Sequence, residues 1–205
     1  MRVTILDYGA GNLRSVVKAF EHEGASVTLT GDPAVARAAE RLVLPGQGHF
    51  GQCAGRLEES GLGDAVREVV AAERPFVGIC VGMQLLYEGS DEAPEVPGLA
   101  LLEGRVQRIP TELHLPHVGW NRVEPTRRGR ADSLLAGIDP DGPTWFYHVH
   151  SYAVMRPDAP EVLARCTYGV TFATIVGEGN VRGIQFHPEK SQEAGLRLLG
   201  NFLRI

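Results

Sequence analysis

Short apolar runs alternate with helical patterns in the first half of the chain. The pattern predicts short apolar strands over residues 3–6, 27–29 and 42–44. Helices are predicted over residues 13–23 and 62–73, where apolar side chains recur at helical spacing. This alternation of strand and helix indicates an α/β fold.

The second half of the chain is rich in predicted strands. A closing helix is predicted to begin near Ser191. The strands are predicted over residues 99–109, 117–123, 144–154, 162–167, 171–176 and 181–186.

Length and composition limit what the protein can be. A chain of 205 residues with 43% apolar content suits one domain spanning residues 1–205. The sequence contains no run of about 18 apolar residues and no export signal at its start, so we expect a cytoplasmic protein.

A formal charge of −5 argues against binding nucleic acid. Cys53, Cys80 and Cys166 are too few and too scattered for a disulfide framework or a paired-cysteine zinc site, and no metal is predicted.

A glycine-rich stretch follows the first predicted strand. Gly9 and Gly11 match the start of the G-x-G-x-x-G pattern for dinucleotide binding, but Arg14 stands where the third glycine belongs. A tight turn between strand and helix explains the stretch better, so no cofactor is predicted.

Cys80 lies between an apolar run and a predicted helix. The run at residues 76–79 reads as a buried strand, and residues 83–87 read as the start of a helix. Gly78 and Gly82 lie two residues before and two after the cysteine, as in the G-x-S-x-G elbow of hydrolases. Unpaired N–H groups at a helix start stabilise a thiolate. Cys80 is therefore a candidate nucleophile, with a buried structural cysteine as the alternative.

A partner base is predicted far downstream. His187 and Glu189 follow a predicted strand, and the intervening Pro188 favours an extended backbone at His187. Both side chains can then project from the same side of the chain, so the carboxylate orients the imidazole and the imidazole exchanges protons with Cys80.

A second glycine-rich turn spans residues 45–50. In an α/β sheet this turn lies near the elbow, and the amide of Gly48 together with that of Val81 could hold the oxyanion of a tetrahedral intermediate. A plain turn is the alternative interpretation.

The chain resembles the class I (triad) glutamine amidotransferases over essentially its whole length. The resemblance rests on the cysteine elbow, the turn at residues 45–48 and the segment from His187 to Glu189. Residues 7–13, 116–121 and 150–152 further resemble one branch, the glutaminase subunits of imidazole glycerol phosphate synthases. The resemblance implies an open mixed, mainly parallel sheet flanked by helices, as in flavodoxin-like folds. It also implies that Cys80 attacks the amide of glutamine, releasing ammonia and forming a thioester that water hydrolyses.

Further roles are carried over from the resemblance alone. It implies that Gln84, Glu92, and the backbone at Ser151 and Tyr152 hold the substrate. It places four residues toward a partner subunit, namely Asn12, Trp120, Asn121 and Tyr147.

The partner implied by the resemblance is a (βα)₈-barrel cyclase subunit. Nothing in the chain looks suited to a phosphorylated ribosyl substrate, so ammonia would be used in that subunit, within a heterodimer of histidine biosynthesis. A protected channel is expected, because free ammonia is mostly protonated in water at neutral pH. The products are imidazole glycerol phosphate and an aminoimidazole carboxamide ribotide.

Two positions depart from the branch pattern, and other functions remain as alternatives. Gln47 replaces a common valine, and His148 replaces an aromatic residue. The glutaminase of anthranilate synthase usually has histidine where Met83 stands and is not expected to carry the Trp120 segment. A redox-sensing or hydrolytic cysteine protein would share the elbow only. A noncatalytic binding module would not need Cys80 together with its base.

Overall fold

The computed structural model describes residues 1–138 and 144–205, which contain two sheets with helices packed against them. The strands are β1 (Arg2–Leu6), β2 (Ser26–Thr30), β3 (Leu42–Gly46), β4 (Phe76–Cys80), β5 (Gly89–Ser90), β6 (Ala93–Pro97), β7 (Arg105–Arg108), β8 (His117–Pro125), β9 (Thr144–His150), β10 (Tyr152–Ala153), β11 (Val162–Tyr168), β12 (Val170–Glu178) and β13 (Val181–Ile184). The α-helices are α1 (Leu13–His22), α2 (Pro33–Arg37), α3 (Phe50–Glu59), α4 (Leu62–Ala71), α5 (Val81–Gln84), α6 (Arg127–Ala131) and α7 (Gln192–Leu203). Short 3₁₀ helices cover Ser133–Leu135 and Pro188–Lys190.

The larger sheet is mixed, as predicted. Its strand order is β2-β1-β3-β4-β13-β12-β11-β8-β9. The first five strands in this order run parallel, and every later neighbour is antiparallel. The α/β fold with a mixed sheet flanked by helices is therefore confirmed, with the parallel half built from the first part of the chain and β13.

A smaller sheet of order β10-β7-β5-β6 packs beside the larger one. The predicted strand over residues 144–154 is wrong in one respect, because it divides at Ser151 into β9 of the large sheet and β10 of the small one. The division places Ser151 and Tyr152 at the junction of the two sheets.

The predicted strand over residues 99–109 is mostly wrong, since only Arg105–Arg108 pairs as a strand. The amides of Leu99 and Leu101 instead donate to carbonyls of the segment after α5, and Ala100 has φ +52°. Leu99 and Leu102 are part of a loop and are buried in the core, and their apolar pattern resembles that of a buried strand.

The parallel half of the sheet brings the candidate site together. Gly46 at the end of β3 lies opposite Cys80 at the end of β4, and β13 pairs with β4 on its other side. Carboxyl ends of parallel strands meet at one edge of a sheet, where ligands bind in open α/β folds. The turn after β3, the elbow after β4 and the segment after β13 therefore share that edge.

None of the helices within residues 1–138 and 144–205 is long and apolar enough to cross a membrane.

Candidate active site

Cys80 occupies a strained bend between β4 and α5. Its backbone has φ +56° and ψ −114°, a conformation that L-residues rarely adopt. A Cβ added at Gly82 would lie 1.9 Å from the Leu44 carbonyl oxygen, and one at Gly78 would lie 2.4 Å from the Gly82 oxygen. Both flanking glycines are thus required by close backbone contact, as the elbow predicted. The strain is consistent with a functional residue held in a fixed orientation.

The helix after the elbow differs from the prediction. It begins at Val81, directly after the cysteine, and ends at Gln84, whereas residues 83–87 were predicted. A helix of four residues has few aligned peptide dipoles, so local N–H groups near Cys80 matter more than a macrodipole. The backbone amide of Val81 is the first of these groups.

His187 and Glu189 form a buried pair beside the elbow. Nδ1 of His187 lies 2.8 Å from Oε1 of Glu189, and the two side chains are 5% and 3% exposed. The backbone of His187 is extended, with φ −100° and ψ 94°, before the 3₁₀ turn Pro188–Lys190. The carboxylate thus fixes the ring, and Nε2 has no well-aligned hydrogen-bond partner among the described atoms.

The electrostatics of His187 favour an imidazolium. Burial lowers the pKa of His187, but the interactions with Cys80 and Glu189 outweigh it and raise the pKa to about 10. The structure therefore brings Cys80, His187 and Glu189 into one interacting set, with the imidazole charged at neutral pH.

A pocket of about 280 Å³ opens beside the Cys80 sulfur. Seven of the residues that line it were singled out from the sequence as catalytic, oxyanion or substrate residues: Gly48, Cys80, Val81, Gln84, Glu92, Ser151 and Tyr152. A larger cavity of about 370 Å³ lies between α3, α4 and the segment after β6, but its lining is mainly apolar and contains no nucleophile. The smaller pocket is therefore the candidate active site.

Two side chains from other segments hold the turn after β3 through its backbone carbonyls. The Tyr8 hydroxyl donates to the Pro45 carbonyl at 2.7 Å, and the Cys53 thiol lies 3.6 Å from the Gln47 carbonyl. Gly48 has φ +104°, which glycine adopts without strain. Gly48 and Val81 both line the pocket, and the oxyanion role of their amides stays a prediction.

The candidate substrate residues are held by internal contacts. The amide nitrogen of Gln84 donates to the Tyr152 carbonyl at 3.1 Å and to Oε1 of Gln185 at 3.2 Å. Oε1 of the same side chain has no partner among the hydrogen bonds of the described residues and can accept from a ligand. Oε2 of Glu92 accepts from the backbone amide of Phe50 at 2.7 Å, so this carboxylate also holds the start of α3.

Two positioning residues were missed in the sequence. Ser191 makes no side-chain cap for α7; its hydroxyl donates to the His187 carbonyl at 2.7 Å and accepts from the Tyr147 amide at 3.0 Å. Gln185 is fully buried and fixes the amide of Gln84. A polar residue two positions before His187 on a buried strand was the available signal for Gln185.

The four candidate interface residues lie on different surfaces. Trp120 and Tyr147 are opposite each other on β8 and β9, with ring centroids 6.2 Å apart, and Trp120 is 44% exposed. Asn121 points to the other face, where it donates to the Thr167 carbonyl and contacts His117. Asn12 is exposed before α1, near the triad. Of these four residues, only Trp120 and Tyr147 present aromatic surface outward.

His148 is not a second catalytic base. It is fully buried, and its Nδ1 lies 3.1 Å from Nε2 of His150 rather than near a carboxylate. Burial lowers the pKa of His148 well below its usual range.

Comparison with known families identifies the class of protein that this fold and site define. The family model described as "Glutamine amidotransferase class-I" matches residues 4–205. The chain therefore belongs to the class-I glutamine amidotransferase family.

Curated relatives narrow the assignment to one branch of that family. The chain is 49% identical to "Imidazole glycerol phosphate synthase subunit HisH" of Symbiobacterium thermophilum, covering 100% of this chain and 94% of the relative. It is 48% identical to the protein of the same name from Salinibacter ruber, covering 98% and 94%. The branch is thus that of the HisH subunits, and the family predicted from the sequence is confirmed.

Solved structures share the fold at lower identity. One described as "Crystal structure of glutamine amidotransferase" has a TM-score of 0.76 at 23% identity, covering 98% of this chain and 97% of its own. One described as "Structure of PurLQS from Thermotoga maritima" has a TM-score of 0.78 at 19% identity, covering 99% and 97%. These matches support the fold and carry no statement about substrate.

Proposed function

We propose that Cys80, His187 and Glu189 carry out the glutamine hydrolysis by which this HisH-family glutamine amidotransferase subunit serves histidine biosynthesis. The observation that carries the proposal is the strained Cys80 beside a buried imidazole that Glu189 orients at 2.8 Å. A charged imidazole next to the sulfur favours the thiolate, which is the nucleophilic form of cysteine.

The reaction proceeds in two stages at the pocket. The Cys80 sulfur attacks the side-chain amide carbon of glutamine, and the oxygen becomes an oxyanion near the Gly48 and Val81 amides. His187 gives its proton to the departing nitrogen, ammonia leaves, and a γ-glutamyl thioester remains. His187 then takes a proton from water, the water oxygen attacks the thioester, and glutamate leaves as the sulfur is released.

The substrate's amino acid end binds at the far side of the pocket. The free carbonyl oxygen of Gln84 and the carboxylate of Glu92 are acceptors suited to an ammonium group. The backbone at Ser151 and Tyr152 closes the pocket from the junction of the two sheets. Residues 1–205 would act as one glutamine amidotransferase domain.

The partner that we propose is the (βα)₈-barrel cyclase subunit of the synthase, in a heterodimer. The curated relatives are named as subunits of a synthase, and exposed aromatic surface lies on the β8 and β9 edge. Ammonia released at Cys80 would pass to that subunit, which we expect to make imidazole glycerol phosphate and the aminoimidazole carboxamide ribotide. A cytoplasmic location accords with this role.

A competing assignment, the glutaminase of anthranilate synthase, has less support. The curated relatives reported above carry the HisH name at 48–49% identity. Met83, where that alternative usually has histidine, is buried beside Gly183.

Glutamate release by purified variants tests the catalytic assignment. We expect Cys80→Ala to abolish glutamate release and His187→Asn to reduce its rate at least 100-fold. Each substitution removes one residue of a set that acts together in catalysis. Cys166→Ala is the matched control, since this thiol is buried in a separate apolar cluster and should leave activity intact. Retained hydrolysis by Cys80→Ala would exclude the proposal.

The coupling to the partner is tested by the same assay with the cyclase subunit added. We expect the isolated chain to hydrolyse glutamine slowly, and the cyclase with its ligand to accelerate it. Full activity of the chain alone, unchanged by the cyclase, would refute this coupling.

A further inference from the structure

Three histidines form a buried cluster behind the substrate pocket. His117, His148 and His150 are 2%, 0% and 6% exposed. His117 on β8 lies opposite His150 on β9, and the two-residue spacing places His148 and His150 on the same face of the strand. Each ring offers a nitrogen, and these three nitrogens all lie within 4.8 Å of one another. The cluster is separate from the Cys80 set, although His150 also borders the pocket.

Hydrogen bonds on β9 fix where two of the ring protons lie. Nδ1 of His150 is 2.8 Å from the Tyr152 carbonyl, which can only accept, so Nδ1 carries the proton. Nε2 of His150 therefore has a lone pair and accepts from Nδ1 of His148 at 3.1 Å. Nε2 of His148 is left as an acceptor, buried and without a partner among the described atoms.

His117 presents a second unpartnered nitrogen. The Asn121 amide nitrogen donates to the Thr167 carbonyl and lies 3.2 Å from Nε2 of His117, so that ring nitrogen is an acceptor. Nδ1 of His117 carries the proton and has no partner in the described structure. Nε2 of His148 is thus a buried lone pair without a partner among the described atoms, which is costly and indicates a donor or a cation that the protein atoms do not supply. Nδ1 of His117 can face the same cation only as the other tautomer, with its proton on Nε2.

The rings are in the protonation state that binds metals. Burial lowers the pKa of His117 to about 4 and that of His150 to about 3. Burial also lowers the pKa of His148. Neutral imidazole is the form that ligates transition metals.

We propose that His117, His148 and His150 bind one divalent transition-metal ion of the zinc type. Three neutral imidazoles suit Zn²⁺, Cu²⁺ or Ni²⁺ rather than the oxygen-seeking Mg²⁺ or Ca²⁺. His150 already has the supporting contact typical of a metal-bound histidine, since its other ring nitrogen donates to a backbone carbonyl.

Binding requires small movements of the rings. Nitrogens about 2.0–2.1 Å from a tetrahedral zinc ion are about 3.3 Å apart, so the widest separation in the cluster must close. His117 and His148 are stacked with an interplanar angle of 21° and must tilt toward the ion. When Nδ1 of His117 is the ligand, its proton moves to Nε2 and the contact with Asn121 is lost. The ion also takes the lone pair on Nε2 of His150, so the hydrogen bond from Nδ1 of His148 is given up.

Cysteine spacing did not predict this site, because its ligands are histidines on two neighbouring strands. Only His148 and His150 are near in sequence, and pairing of β8 with β9 adds His117. His148 stands where the family resemblance expects an aromatic residue, so the third ligand is a departure of this chain.

Zinc titration of the metal-free full chain tests the proposal. The Cys80→Ala background is needed, because a reactive cysteine thiolate is itself a ligand for zinc. Calorimetry gives stoichiometry and affinity, and ¹⁵N shifts of the imidazole nitrogens show which rings bind. The diagnostic variant is His148→Phe on that background, which keeps an aromatic ring, and exposed His22→Gln is the control.

We expect one ion per chain, with the rings of the three histidines shifting together. Affinity should fall at least tenfold in His148→Phe and stay unchanged in His22→Gln. Absence of saturable binding, or shifts confined to His187, would overturn the proposal. Zinc binding that is unaffected by His148→Phe would overturn the proposal too. If the His148→Phe variant fails to fold, the imidazole ¹⁵N shifts of the Cys80→Ala protein alone decide the outcome.

Discussion

At the scale of single residues, the proposed chemistry depends on how the backbone and side chains of Cys80 and His187 are held. The positive φ of Cys80 keeps the sulfur at the edge of the sheet, and Glu189 fixes the imidazole. The Ser191 hydroxyl donates a hydrogen bond to the His187 carbonyl and so fixes the backbone at the base. The groups that we propose to react are therefore already positioned in the free chain, and such positioning favours nucleophilic catalysis.

The charge state of His187 gives a prediction about pH. Burial lowers its pKa, yet Cys80 and Glu189 raise it to about 10, so the wild-type ring stays charged from pH 7 to 9. Removing the sulfur removes one of the raising interactions, so Cys80→Ala should shift the titration to lower pH. Imidazole chemical shifts followed against pH measure this, with Cys166→Ala as the control. An unchanged midpoint in Cys80→Ala would show that the sulfur and the ring do not interact.

Much of the candidate site could be predicted from residues alone. Cys80 with its two glycines and His187 with Glu189 are short motifs whose geometry follows from local backbone rules, and the structure brings them together. Gln185 and Ser191 were not found, because their roles depend on contacts between segments far apart in sequence. The histidine cluster was missed for the same reason, since it exists only once β8 pairs with β9.

At the scale of elements, close packing of the elbow against β3 holds Cys80, the proposed nucleophile, in place. The Gly82 backbone lies so near the Leu44 carbonyl that no side chain fits between them. Such contact couples the position of α5 to the sheet.

Substitution of the elbow glycine should therefore be costly. Gly82→Ala should lower the free energy of unfolding by about 3 kcal/mol, since overpacking against backbone cannot relax easily. Gly55→Ala in α3 is the matched control: nothing lies within 4 Å of its added Cβ, so we expect about 0.5–1 kcal/mol of stabilisation. Urea unfolding of both variants provides the comparison. Equal stability of Gly82→Ala and the wild type would contradict the packing described here.

Prediction of elements from the apolar pattern succeeded for several strands and helices and failed for others. The strands β1, β3 and β4 and the helix α1 were predicted closely. The helix α3 was missed although Phe50, Cys53, Ala54 and Leu57 recur at helical spacing and are buried. Residues 99–104 were mistaken for a strand because loop residues that pack into the core, such as Leu99 and Leu102, give the same apolar pattern as a buried strand.

At the scale of the whole molecule, the catalytic edge and an exposed aromatic edge lie side by side. Val118, Trp120 and Trp145 are 55%, 44% and 47% exposed on β8 and β9. These strands form the end of the large sheet, and β9 is also joined to the His187 segment through Ser191. A partner on this surface would thus contact the segment that carries the base.

This surface makes a prediction about assembly. Trp120→Ala should weaken binding of the cyclase subunit at least tenfold, because a large aromatic side chain at an interface centre contributes several kcal/mol. Leu29→Ala, an exposed apolar residue on the opposite edge strand β2, is the control and should leave binding unchanged. Sedimentation or calorimetry measures the affinity. Equal affinities for the two variants would place the partner on another face.

The most direct test of the central claim compares two nitrogen sources in the assembled synthase. With Cys80→Ala in the complex, glutamine-driven formation of imidazole glycerol phosphate should fall at least 1000-fold, since no thioester forms and no ammonia is released. Ammonium-driven synthesis should remain within about twofold of wild type, because the cyclase reaction does not use the sulfur. Equal loss of both activities, or persistence of the glutamine-driven reaction, would contradict the assignment of Cys80 as the nucleophile.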